Sequence, residues 1–134
     1  MRADRLLLDT HALIWWQAGS DRLSAPAASA IADAERVAIS AISMWELATL
    51  TRLRRVALDR SVDRWVSDLL AGRVECIDID PIVAAAAGSL VDFHGDPADR
   101  IIYSTAKTHS MALVTKDRRI SHHSAADGSV SVVW

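Results

Sequence analysis

The feature that most constrains this chain is a rhythm. Short apolar runs, too brief for helices, alternate with longer stretches that carry helix caps and helix stops. Residues 5–8 open it as a buried strand ending at Leu8. Thr10 is placed to cap a helix carrying Leu13, Ile14, Trp15 and Trp16, and Ser24 to cap a second, with Pro26 in its first turn and alanines through Ala34. Val37-Ala38-Ile39 is the next strand, after which Ser43 opens a third helix through about Arg54. A helix over residues 61–71, stopped at Gly72, leads to a strand over 74–77. Asp80-Pro81 and Asp96-Pro97 each set a capping acid before a proline at the first helical position, opening helices to about Leu90 and His109. Residues 112–115 form a fourth strand and 129–134 a candidate fifth.

Strands joined through helices cannot pair as hairpins. They lie side by side in a mainly parallel sheet, covered on both faces. The expected fold is therefore α/β, three-layered, with a central sheet of four to five strands flanked by helices. The chain of 134 residues has no internal repeat, low-complexity tract or linker, so residues 1–134 are read as one domain. In such sheets ligands bind beyond the carboxyl ends of the strands, where strand order reverses.

Composition narrows the function classes. Hydrophobic residues make up 51% of the chain, enough for a core and too many for disorder. No apolar run approaches the ~20 residues of a membrane span. Met1-Arg2-Ala3-Asp4-Arg5 leads into three leucines that Asp9 interrupts, too short a run for a secretory leader. Cys76 is the only cysteine, so an intrachain disulfide and a thiolate zinc site are excluded. A cytoplasmic protein without membrane association is expected. The net charge of −2 argues against a basic nucleic-acid coat, but not against an enzyme whose acids hold cations. Lys107 and Lys116 are the only lysines; the other basic residues are arginines, which suit bidentate phosphate contacts.

Four acids fall where this architecture puts chemistry. Asp9 ends the first strand and Glu46 is in the first turn of the helix after the second. Asp99 lies in the first turn opened by Asp96-Pro97, and Asp117 follows the fourth strand. Strand ends and helix starts share one rim, so these carboxylates can converge. Hard cations such as magnesium and manganese prefer oxygen ligands. A carboxylate cluster holding them can activate water and stabilise a phosphoryl transition state. Each acid also has a structural alternative. Ser43-Met44-Trp45-Glu46 fits a capping box, Asp99 sits favourably on a helix dipole, and Asp117 suits a turn. Asp9 resists such a reading, since a charge beside a buried strand end needs a partner.

These residues carry a resemblance. Leu6-Leu7-Leu8-Asp9-Thr10-His11, Ile42-Ser43-Met44-Trp45-Glu46-Leu47, Asp96-Pro97-Ala98-Asp99-Arg100-Ile101-Ile102 and Leu113-Val114-Thr115-Lys116-Asp117 resemble the four signature blocks of the PIN-domain ribonucleases, and more narrowly the VapC toxins of bacterial type II toxin–antitoxin pairs. The blocks span nearly the whole chain in the family's order. The resemblance implies a PIN fold and magnesium- or manganese-dependent endoribonuclease activity on an RNA substrate. It also implies inhibition by a VapB-type antitoxin, and it assigns catalysis and metal binding to Asp9, Glu46, Asp99 and Asp117. Thr10, Ser43 and Thr115 match positions that often support the acids, and Asp96 is assigned mainly to capping.

Other residues invite roles. His122 and His123 are read as an exposed loop, and His11 as lying on a helix surface beside the site. Arg118 and Arg119 follow Asp117 and are placed to meet phosphates. Trp15 and Trp16 diverge by about 100° on a helix, so one enters the core and the other stays partly exposed. With Trp45, that surplus points to an antitoxin surface or a homodimer. A haloacid dehalogenase-type phosphatase would need a second aspartate where His11 stands, and a receiver domain would need adjacent acids before the first helix. The non-enzyme alternative is a catalytically inactive PIN-like interaction module, against which the intact acids argue.

Overall fold

The computed structural model describes residues 4–134; Met1, Arg2 and Ala3, which enter the leader argument, lie outside the described residues. Five strands, β1 (Arg5–Leu8), β2 (Arg36–Ser40), β3 (Val74–Ile77), β4 (Ala112–Val114) and β5 (Val132–Val133), form one sheet in the order β3-β2-β1-β4-β5. Every pairing is parallel. Seven helices connect them: α1 (Thr10–Ala18), α2 (Ala25–Asp33), α3 (Ala41–Arg52), α4 (Val62–Ala71), α5 (Pro81–Ser89), α6 (Pro97–Thr108) and α7 (Arg118–Asp127).

The leucines of β1 show why the sheet is covered on both faces. Side chains alternate along a strand, so Leu6 and Leu8 join one cluster with Leu13, Ile31, Leu47, Trp65 and Val114. Leu7 joins the other with Ala38, Ile102, Tyr103, Leu113 and Ile120. All three leucines are fully buried, so burial contributes about 1.5–3 kcal/mol for each.

Two helix starts differ from the sequence reading, and one helix is additional. Asp9, not Thr10, caps α1: its side chain accepts the Ala12 N–H at 2.8 Å. Ser40, not Ser43, caps α3, accepting from Ile42 at 3.2 Å. Ser40 is the last residue of β2, paired with Ile77, so the helix starts directly off the strand. Both serines have capping chemistry; the length of β2 decides between them. The third difference is α7, capped by Asp117 and ended by Gly128 at φ 74°. It carries His122 and His123, which are therefore helical rather than in a loop, with the His123 ring 5.0 Å from Tyr103. Among the described residues no helix is long and apolar enough to cross a membrane.

Candidate active site

Strand order reverses between β1 and β4, whose connections run to opposite sides, and the crevice beyond their carboxyl ends is where such sheets bind ligands. Asp9 emerges there from β1, its N–H bonded to Val114 O at 3.0 Å. One carboxylate oxygen caps α1 and the other accepts the Thr115 hydroxyl. Thr115 also accepts the Asp117 N–H at 3.1 Å, so one buried hydroxyl links the two acids at the ends of β1 and β4.

Glu46 lies in the second turn of α3, not the first, because the helix cap is Ser40 rather than Ser43, and it lines the same cleft. Its Oε1 accepts the hydroxyl of Thr10, the first residue of α1, and that hydroxyl lies 3.0 Å from Ser43 Oγ. With Ser40 as the cap, the capping-box reading of Glu46 is overturned. Ser43 is fully buried and its polar partner is Thr10.

Asp96 caps α6 as expected, accepting the Asp99 N–H at 3.0 Å. That turn aims Asp99 into the cleft, where Asp99 Oδ2 meets His94 Nε2 at 2.7 Å. Asp117 accepts the Arg119 N–H at 2.8 Å and the same residue's guanidinium at 3.0 Å. Arg119 also stands 3.7 Å from Asp99. The four predicted acids thus line one cleft of about 550 Å³, with Thr10, His11, Trp15, Arg22, Asp96, Lys116 and Arg119 around them. Thr115 and Ser43 support it from behind.

The electrostatics match a cation site. Burial pushes the Asp9 carboxyl above its ordinary range, with the Asp99 charge adding to the effect and the Thr115 and Ala12 hydrogen bonds opposing it. Burial likewise raises Glu46, against the Thr10 hydrogen bond, and raises Asp99, against His94. Asp117 is also raised by burial, but its hydrogen bonds and charge contact with Arg119 outweigh that and leave it net lowered. Three carboxyls therefore bear a desolvation cost that a bound cation would relieve. The donor set is rich in oxygen, and ligand atoms of His94, Asp99 and Asp117 lie within 4.8 Å of one another. Such donors fit magnesium or manganese.

His94 is the residue that sequence reasoning missed. It has no motif spacing of its own, and only the turn preceding α6 brings it to Asp99. Its ring stacks on Phe93 at 4.5 Å. Arg22 has no part in the sequence reading and Lys116 no catalytic role there, yet both line the cleft.

Comparison with known proteins identifies the family and the fold. Residues 6–126 match the PIN domain family. The chain is 47% identical over 119 residues to Ribonuclease VapC22 of Mycobacterium tuberculosis (strain ATCC 25618 / H37Rv), covering 88% of this chain and 91% of that one. It resembles a solved toxin–antitoxin complex from Klebsiella pneumoniae with a TM-score of 0.65 at 21% identity, covering 87% of this chain and 90% of the other. It also resembles FitAcB from Neisseria gonorrhoeae with a TM-score of 0.62 at 25% identity, covering 95% of each. With that match across most of its length, and with its four acidic blocks gathered at one strand-order reversal, this chain belongs to the PIN domain family.

Proposed function

We propose that the protein is a divalent-metal-dependent endoribonuclease acting as the toxin of a type II toxin–antitoxin pair. The observation that carries this reading is the convergence of Asp9, Glu46, Asp99 and Asp117, from four separate elements, on one cleft at the strand-order reversal. The 47% identity to a protein named Ribonuclease VapC22 supports the same activity.

In this reading the four acids hold magnesium or manganese. The metal, when bound, supplies Lewis-acid activation of water and neutralises charge on the phosphate. The chain's own residues set the geometry. Thr115 orients Asp9, and Thr10 with Ser43 orients Glu46. Asp96 fixes the turn that presents Asp99, and His94 restrains that carboxylate. Arg119, beside Asp99 and Asp117, offers a guanidinium fork to the phosphate of the strand.

The partner is an antitoxin of the VapB type, and the setting is the cytoplasm, where a free ribonuclease needs an inhibitor. Trp45, 61% exposed on α3, gives an apolar antitoxin segment a place to bind. A basic antitoxin residue entering the cleft would compete with the metal. A homodimer is part of the same proposal.

The test is incubation of purified, partner-free protein with total RNA, with magnesium or manganese against EDTA. Cleavage that EDTA abolishes, and that is absent from a D99N protein, supports the reading. Intact RNA under both metals sinks it in favour of an inactive interaction module.

A further inference from the structure

The acids of this cleft repel an RNA backbone, so something at the rim must hold the strand. Trp15 lines that same cleft. Its neighbour Trp16 is half-buried as well and packs against the core cluster, so the two rings diverge but neither enters the core as the sequence reading has it. The Trp15 ring is half-buried and held at its surroundings by His11, at 5.6 Å between centroids, and Trp134, at 5.9 Å. Two cations stand over it, the Arg22 guanidinium at 6.0 Å and the Lys116 ammonium at 5.8 Å. Both residues are exposed. Among the described residues neither forms an ion pair, although carboxylates line the same cleft.

We propose that Trp15 is a stacking platform for one nucleobase of the substrate strand, with Arg22 and Lys116 gripping the phosphates beside it. The proposal rests on the nuclease reading above. A tryptophan that served only the core would have no use for two unpaired cations, and cations placed for the acids would pair with them. An aromatic face flanked by free positive charge, in the same cleft as the four acids, matches a nucleotide part by part: ring to ring, cation to phosphate. A bare phosphate has no use for the ring. Stacking accepts any base, so Trp15 supplies affinity and register rather than sequence choice, and it requires the base to be unpaired.

The experiment is steady-state cleavage of a single-stranded RNA oligonucleotide by wild type, W15A, W15L and W15F, each checked for folding by circular dichroism. Loss of the platform raises KM by about tenfold or more in W15A and W15L, with kcat within about threefold, whereas W15F keeps KM within about threefold. Abasic substitutions walked along the oligonucleotide raise KM for wild type at one position next to the cut, and add nothing further in W15L. R22A/K116A flattens the salt dependence of KM. Unchanged KM in an active W15A or W15L overturns the platform. So does weakened antitoxin capture without a KM change, which would make the ring a protein contact. If W15A fails to fold, the W15L and W15F pair and the abasic walk decide. A wild-type protein that cleaves no RNA sinks the nuclease reading instead. Anisotropy of labelled oligonucleotide on D99N and on D99N/W15L then judges the platform alone, and equal binding overturns it.

Discussion

The Thr115 hydroxyl donates to the Asp9 carboxylate, joining residues 106 positions apart, and accepts the backbone N–H of Asp117 at 3.1 Å. Thr115 is fully buried, so the hydroxyl has no competing water. Groups that orient metal ligands typically matter ten- to a hundredfold in affinity or activity. T115V, which keeps the shape and removes the hydroxyl, is expected to lower manganese affinity and RNA cleavage by about that factor, while T115S retains both. It should also cost about 1–3 kcal/mol of stability for the Asp117 N–H left unpaired. Calorimetric metal titration and thermal unfolding measure the two effects separately. Equal metal affinity in T115V and wild type would show that Asp9 needs no such support.

Asp9→Asn isolates the charge at the strand end, because asparagine caps a helix about as well as aspartate. The metal-free D9N protein is expected to melt no lower than wild type, since it loses a charge that burial disfavours. Its gain in melting temperature on adding manganese should vanish along with cleavage. A metal-induced shift as large as that of wild type would remove Asp9 from the site.

Glu46 gives a clean separation of roles because Ser40, not Ser43, caps its helix. Neither Glu46→Gln nor Glu46→Ala removes a cap, so both should unfold within about 1 kcal/mol of wild type, the scale of a cap. Both should lose cleavage. Selective destabilisation of Glu46→Ala, with Glu46→Gln active, would contradict the ligand role.

The acids were legible in the sequence for a physical reason. Strand ends and helix starts share a rim in any parallel α/β sheet, so Asp9 after Leu8 and Asp99 after Asp96-Pro97 declare their side of the sheet from local spacing alone. The helix after Asp117 was not legible. Only Ile120 and Ser124 of α7 are buried, so its apolar stripe is too thin to read as periodic. Ser40 and Ser43 offer equal capping chemistry, and the choice depends on how far β2 pairs with β3, a nonlocal fact. Lys116 reaches the Trp15 ring from the loop after β4, a contact that only the folded sheet supplies, whereas His94 is a near neighbour of Asp99 in a turn with no spacing signal of its own.

Tyr103 tests the far end of the molecule. Its hydroxyl donates to Asp127 at 2.8 Å, at the last residue of α7, next to Ser129. The Ser129 hydroxyl first, and then Tyr103, hold the Asp127 carboxyl below its ordinary value of 3.8. A lowered carboxyl contributes stability that is complete above its unfolded value and is lost as pH falls through the folded one. Y103F should therefore melt below wild type at neutral pH, with the gap narrowing below about pH 4. Melting curves across that range decide, and a gap that widens in acid would refute the assignment.

Trp45 provides the partner test. W45K is expected to weaken capture of the adjacent-gene antitoxin while leaving RNA cleavage by the free protein unaltered, because Trp45 is exposed and is not among the residues lining the cleft. Pull-down and cleavage assays on the same preparation read both. Undiminished capture by W45K would move the antitoxin surface elsewhere.

The reversal of strand order has a consequence for biosynthesis. Because β1 sits between β2 and β4, Asp9 cannot meet Asp117 until every residue between them has been made. At about 5–20 residues per second, roughly five to twenty seconds separate the synthesis of these two aspartates. Throughout that interval the growing polypeptide has no assembled cleft. A ribosome therefore carries the chain from Asp9 to Asp117 unarmed, and an inhibitor translated alongside it has that interval in which to fold first.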